Sequence, residues 1–436
     1  MYYLKIKHRL IGLGLFVCLY ASIPGQAQST VSQSSQTSQT IRVQTDSLLP
    51  AKELSIRNCL PNFFAKVKAG KPVSVAFLGG SITRAGNGYR DQLLSWFRSQ
   101  YPACKFEEIM AAVSGTGSDF GACRVQQHVI DHQPDLVFIE FAVNDNHMPM
   151  QLVRETMEGI VRQIWKANAK TDICFIYTLA KENLPELQKG IFPASVSAME
   201  PIATHYNIPS IHMGLAVVEE ITKGKLEIMG KKEEPSTTPI FSVDGVHPLP
   251  ETGHKIYTQV LKKCLLQMQD NGSPAKHTIG AAVEPDNWSN AGMIAGWKKA
   301  SFKGDWQLTD SVTKGREYYQ LLPRVYGTAA KDASVTVHFK GTRFGLADIM
   351  GPGTANVEIT IDQQAPRVIS RFDAFCTYYR LNYFLISDLQ PGKHTATIRL
   401  SPDPVDKAAI LKTRNVTVTN WQPYEKNAMY IGAILY

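Results

Sequence analysis

The amino-acid sequence predicts an α/β domain with a parallel sheet, followed by an all-β sandwich. Three observations carry this. Strand-like and helix-like runs alternate from Val73 to Met268. After about residue 275 helical spacing fades, and short alternating runs divided by Gly, Pro and Asp take over. Once an N-terminal export segment is set aside, 409 of the 436 residues remain, enough for two domains of ordinary size.

That export segment is expected at residues 1–27. Lys5, Lys7 and Arg9 precede an apolar run from Leu10 to Ile23, and Gly25 and Ala27 supply small residues for cleavage. The run is too short and broken for a stable membrane span, so a periplasmic destination is expected. Cys18 inside the run keeps a lipoprotein anchor open as the lesser alternative. Residues 28–50, rich in Gln, Ser and Thr, are expected to be a disordered linker.

The catalytic-type domain is expected over 51–272. Ile56, Leu60, Phe63, Phe64 and Val67 recur at helical spacing, with Gly70 as a stop. Strands follow at Val73–Leu78, Phe106–Val113, Leu136–Phe141, Ile173–Leu179 and Pro209–His212. The near-continuous apolar runs Leu136–Phe141 and Ile173–Leu179 suit strands covered on both faces. Helices are expected at Tyr89–Gln100, Ala122–Asp131, Leu152–Ala167, Val196–His205 and Thr252–Met268. A short helix from Val217 should run into a Lys/Glu-rich insertion. The Asn271-Gly272-Ser273-Pro274 turn ends the unit. The second domain is expected over 278–436, with strands at Val335–Phe339, Val357–Ile361, Val368–Phe372 and Thr395–Leu400.

Composition excludes several functions. Loss of residues 1–27 lowers the net charge from +8 to +5, spread without any like-charge block, so neither nucleic acid nor a membrane surface is an expected partner. Cys59, Cys104, Cys123, Cys174, Cys264 and Cys376 are scattered, without CxxC or HExxH spacing. No metal or organic cofactor is therefore expected. Disulfides and buried thiols both remain open for these cysteines, and the oligomeric state is not legible.

Four blocks carry chemistry, each at or near a strand end. In Val75–Thr83 a buried strand meets Gly79, Gly80 and then Ser81, which projects into the crevice where α/β sheets bind ligands. A serine needs a base, and Asp244-Gly245-Val246-His247 offers a histidine with an aspartate three residues earlier to orient it. Asn144, in Glu140–Asn146, can donate to a developing oxyanion. So can a glycine N–H in Ala112–Ser118, where Gly115 is preferred and Gly117 is the alternative.

Together these blocks resemble the SGNH hydrolase superfamily, the GDSL-type lipases and esterases, over about residues 70–268. The resemblance implies a flavodoxin-like, three-layer α/β/α domain. It implies Ser81 as nucleophile, Asp244 and His247 as triad partners, and an oxyanion hole from the Ser81 and Gly115 N–H groups and the Asn144 amide. One departure is Gly80, where the usual Gly-Asp-Ser-Leu carries aspartate. Arg124 and His147 are candidate substrate contacts. Phe339–Leu346 and Gly392–Thr395 resemble strands of galactose-binding-like sandwiches. Asp348, Asp373, Tyr378, Tyr379 and Arg380, with Trp288, Trp297, Trp306 and Trp421, are candidates for meeting sugar, the core being the competing role for each. The expected activity is removal of O-acetyl groups from an acetylated glycan, as in exported two-domain carbohydrate acetylesterases. The alternatives are a lipase or lysophospholipase of the same superfamily, and a non-catalytic glycan-binding protein.

Overall fold

The computed structural model describes residues 46–231, 238–295, 297, 300–309 and 321–436. The expected export segment (1–27) and most of the expected linker (28–45) lie outside the described residues. The remainder of that linker range does not behave as one. Leu49 N–H donates to Ser197 Oγ at 3.0 Å, Phe192 N–H donates to Leu49 O, and Leu49 packs on the main core. An apolar side chain with a place to bury draws the chain down before residue 50.

The first domain is built on strands β1 (Leu54–Ser55), β2 (Val73–Gly79), β3 (Phe106–Ala112), β4 (Leu136–Glu140), β5 (Asp172–Tyr177) and β6 (Ser210–His212). Their order across the sheet is β1-β6-β5-β4-β2-β3. All pairs are parallel except the short edge strand β1, which lies antiparallel to β6. Setting β1 aside, this is the doubly wound flavodoxin-like order, with its switch point between β2 and β4.

The short strands β7 (Glu227–Met229) and β8 (Ile240–Ser242) form a separate parallel pair, and the helices, which include the short α6 (Leu184–Gln188) and α8 (Gly214–Thr222), cover both faces of the main sheet. On one lie α1 (Pro61–Lys68), α3 (Tyr89–Gln100) and α9 (Gly253–Met268), whose Phe63, Phe97 and Leu261 bury against Val75 and Phe77. On the other lie α4 (Ser118–His128), α5 (Met150–Ala167) and α7 (Ala194–His205), around Phe120, Phe141, Ile160 and Phe175. The first helix starts later than its spacing suggests. Pro61, lacking an N–H, takes the opening turn, while Arg57 and Cys59 have positive φ and cannot extend a helix backward.

The second domain is a sandwich of two antiparallel sheets. One runs β10-β13-β18-β15-β16, comprising Ala300–Lys303, Ser334–Gly341, Gly392–Leu400, Val357–Ile361 and Arg367–Ile369. The other runs β11-β12-β19-β14-β17, comprising Gln307–Thr309, Val325–Thr328, Met429–Leu435, Phe344–Met350 and Arg380–Ile386, with β9 (Met293–Ala295) joined to β19. Val335, Ile359 and Ile398 meet Phe344, Leu346 and Ile431 between the sheets.

The expected start of this domain at 278 is corrected. Residues 277–292 belong to the surface of the first. His277 N–H donates to Ala169 O and its ring stacks on Trp165 at 4.6 Å. The Val283 and Glu284 N–H groups both donate to the Glu158 carboxylate. Burial of Val283 and Trp288 explains the placement, and sandwich strands begin only at Met293.

Candidate active site

The strand–glycine–serine turn puts Ser81 at the first position of a four-residue helix, α2 (Ser81–Arg84), directly beyond β2 at the switch point. The turn is braced from behind by a buried carboxylate. Glu140, the last residue of β4, accepts the Thr83 hydroxyl at 2.8 Å, the Thr178 hydroxyl at 2.7 Å and the Gly80 N–H. Burial pushes its pKa up, and those three donors partly offset the rise. Tyr89 extends the network, its hydroxyl 2.6 Å from that of Thr83.

Ser81 Oγ lies 2.8 Å from His247 Nε2, and His247 Nδ1 lies 2.7 Å from Asp244 Oδ2. With the Nδ1 proton directed at the carboxylate, Nε2 is free to accept from the serine, as proton abstraction needs. The Asp244–His247 loop is tightly wound. Gly245 has φ +79, a conformation that favours glycine. Asp244 Oδ1 accepts the Val246 and His247 N–H groups and the Ser242 hydroxyl at 2.8–2.9 Å. Partial burial works to raise the Asp244 pKa. The His247 ring, these two N–H groups and the hydroxyl outweigh it and hold the carboxyl well below the usual range. Asp244 therefore stays an anion beside the ring.

Asn144 follows β4 across the switch point. Its amide packs on Gly80 so closely that a Cβ there would stand 2.1 Å from Oδ1. This gives a physical reason for glycine where the related motif has aspartate. Gly115 follows β3 with φ +70 and open space beside it. The neighbouring N–H groups are committed elsewhere. Gly117 N–H points to Tyr383 Oη at 3.4 Å, and Ser118 N–H donates to Asp145 Oδ1 at 3.0 Å. Of the two glycines left open by the sequence, Gly117 has its N–H directed at Tyr383, while Gly115 has open space beside it.

Arg124 is corrected as a substrate contact. It is fully buried, and its guanidinium donates to Ala111 O and Gly79 O, with His128 Nδ1 2.7 Å away. It ties the ends of β2 and β3 together behind the site. Burial lowers its pKa to about 9, and burial with Arg124 nearby takes His128 to about 2. His147 is exposed, 3.4 Å from Glu182, and Asn146 donates to the same carboxylate. Lys181 N–H donates to Gly245 O, so this group sits where the Asn144 and Asp244 loops approach each other.

The sugar candidates of the second domain divide. Asp348 pairs with Arg371 and Asp373 with Arg380, while Trp288 and Trp297 are core. Tyr379 makes an edge contact with Tyr430, and Trp306 packs on Phe302. Only Tyr378 and Trp421 of this set are exposed. All six described cysteines are buried free thiols. Among the described residues no three His, Cys, Asp or Glu side chains gather as a metal site, and no helix is long and apolar enough to cross a membrane.

The sequence reading missed Glu140, Ser242, Asp145 and Tyr383. Glu140 ending a buried apolar strand was a usable signal, because an acid there needs partners.

Residues 77–251 match the family model of the GDSL-like lipase/acylhydrolase family. A two-domain esterase active on acetylated mannans shares the fold over both domains. Its structures, alone and with mannopentaose, align with a TM-score of 0.68 at 20% identity, covering 88% of this chain and 96% of that one. No curated protein matches the sequence.

Proposed function

We propose that the chain, whose residues 77–251 match the model of the GDSL-like lipase/acylhydrolase family, is a serine esterase that removes O-acetyl groups from a polysaccharide or oligosaccharide. The observation that carries the reading is the Ser81–His247–Asp244 hydrogen-bond chain at the switch point. Ser81 Oγ attacks the ester carbonyl carbon as its proton passes to His247 Nε2. The carbonyl oxygen becomes an oxyanion held by the Ser81 and Gly115 N–H groups and the Asn144 amide. His247 then protonates the departing sugar oxygen, leaving an acetyl-enzyme. Water, deprotonated by His247, attacks that ester; as the bond to Ser81 Oγ breaks, His247 returns the proton to Oγ and acetate leaves.

The glycan substrate is supported by the shared two-domain fold with an esterase active on acetylated mannans. It is also supported by exposure: the His247 and Asp244 side chains are 50% and 54% exposed, which suits a polymer laid across an open cleft better than an acyl chain threaded into a tunnel. Export is part of the same proposal, and N-terminal sequencing of the mature protein should begin at Gln28.

The deciding experiment measures acetate release from acetylated mannan, xylan and pectin by wild type and Ser81→Ala. Wild type should release acetate from at least one, and the variant should lose about 10⁴- to 10⁶-fold in kcat. A wild type active only on long-chain acylglycerols would favour the lipase alternative. One that binds glycan without hydrolysis would favour the non-catalytic one.

A further inference from the structure

We propose that Tyr383, from the second domain, is a positioning residue for the oxyanion loop of the first. The proposal rests on the esterase reading. The loop between β3 and α4 must hold Gly115 in a conformation that nothing around Gly115 enforces, since no atom lies within 4 Å of where a Cβ would be. Its fixing points are therefore the residues on either side. Before it, Val113 N–H donates to Gly79 O, and the Thr116 hydroxyl closes back on Val113 O. After it, Ser118 N–H is held by Asp145, beside Asn144, and the Ser118 hydroxyl is 2.6 Å from that of Thr156.

The remaining hold comes from the other domain. Tyr383, on β17, lays its ring on Phe120 with centroids 4.7 Å apart and planes within 14°. Its hydroxyl donates to Asp119 Oδ1 at 2.6 Å and receives the Gly117 N–H at 3.4 Å. Asp119 is buried at the first turn of α4, where its Oδ1 also accepts Phe120 N–H. Around Gly117 there is no slack: a Cβ would meet Asp145 Oδ1 at 2.5 Å and Asp119 Oδ1 at 3.0 Å. Two consecutive N–H groups, of Gly117 and Ser118, are thus directed away from the cleft. One is held by the block that carries Asn144, the other by the sandwich. Loss of the Tyr383 hydroxyl frees the Gly117 N–H and leaves Asp119 without its strongest neutral donor. The loop can then rotate, and the Gly115 N–H with it.

The test uses the full chain and Tyr383→Phe, which keeps the ring on Phe120 and removes only the hydroxyl. On a small acetyl ester, kcat should fall about 10- to 100-fold, the range for a misplacement of about 1 Å, with KM within about twofold. Arg343→Lys is the control for simple domain adhesion. Arg343 sits 4.3 Å over Trp288 and donates to Asp286 O, far along the chain from the loop, so this change should lower thermal stability but spare kcat. Should Tyr383→Phe fail to fold, Asp119→Asn weakens the same bond with the tyrosine in place and carries the same expectation. Unchanged kcat in Tyr383→Phe, or kcat losses in both interface variants that track thermal stability, would overturn the proposal. A wild type that hydrolyses no acetyl ester would sink the esterase reading and this proposal together, whereas an active wild type matched by Tyr383→Phe would sink this one alone.

Discussion

Gly80 and Asn144 occupy a space with room for one side chain. In Gly80→Ala the new methyl should displace the Asn144 amide while the fold persists. An oxyanion donor is worth about 3–4 kcal/mol, so kcat on a small acetyl ester should drop about 10²- to 10³-fold with circular dichroism unchanged. Full activity would remove Asn144 from the site. Asp244 and His247 should separate in the same assay. Asp244→Asn keeps an oxygen for the Val246 and His247 N–H groups, whereas His247→Ala removes the proton carrier, so the former should retain more activity. Equal and complete loss in two folded proteins would count against the orienting role. Asp145 gives a pH prediction. Burial raises its pKa to about 8, against about 3.9 unfolded. The native state then binds the extra proton between those values. Its stabilising share is complete below about pH 4 and is lost as pH rises through about 8. The Tm of wild type relative to Asp145→Asn should fall from pH 5 to about 8 and level off above it, and a flat difference would refute a raised Asp145. At this scale the hydrogen-bonded set of Ser81, His247 and Asp244 was legible because each member sits in a short block close to a strand end. Arg124 was not, because sequence near a helix start does not reveal that two carbonyls bury the guanidinium.

Segment 277–292 is held against α5 by specific packing. Glu158 collects the Val283 and Glu284 N–H groups, and Trp288 N–H bonds Glu155 O. Gly159 makes the contact possible, since a Cβ there would lie 2.5 Å from the Trp288 carbonyl carbon. Gly159→Ala gains some helix propensity but must push the segment off, and overpacking of this kind costs about 1–3 kcal/mol. Chemical denaturation should show a net loss of stability, with kcat on a small ester unchanged. A stabilised variant would mean that the segment moves aside freely. Element placement by sequence followed the packing. Tyr89–Gln100 and Val357–Ile361 have the expected bounds: the helix buries one face against a core, and the strand's apolar run is bounded by Asn356 and Asp362. Phe344–Leu346 of β14 fell within the strand-like Phe339–Leu346, but the rest of β14 and all of β19 were not singled out. Every residue of Phe344–Met350 and Met429–Leu435 is buried, so neither strand shows the alternation of a half-exposed sheet.

Those two strands also decide how the whole molecule behaves. Leu346 and Ile431 face the sandwich interior, while Ala347, Ile349, Ala433 and Leu435 belong to the same apolar cluster as Phe120, Val153 and Ile160 of the first domain. The second domain is thus docked, the chain reaching it through the segment 277–292 packed on the first, and its inner sheet closes one face of the α/β core. The two architectures were legible in the sequence but this shared core was not, because no local pattern tells a strand's second face from a surface. Truncation near residue 275 would strip the cover from α4 and α5 and release the Tyr383 hold on the loop at Gly117. It would therefore confound loss of glycan contacts with loss of folding. The expected outcome for the intact protein is one calorimetric transition, with equal van't Hoff and calorimetric enthalpies, since neither domain keeps a complete core alone. The 46–272 fragment should be insoluble or bind a hydrophobic dye. Two resolved transitions, or a soluble, dye-silent fragment with native near-UV dichroism, would mean that the interface is an accessory contact and that the α/β core is complete without it.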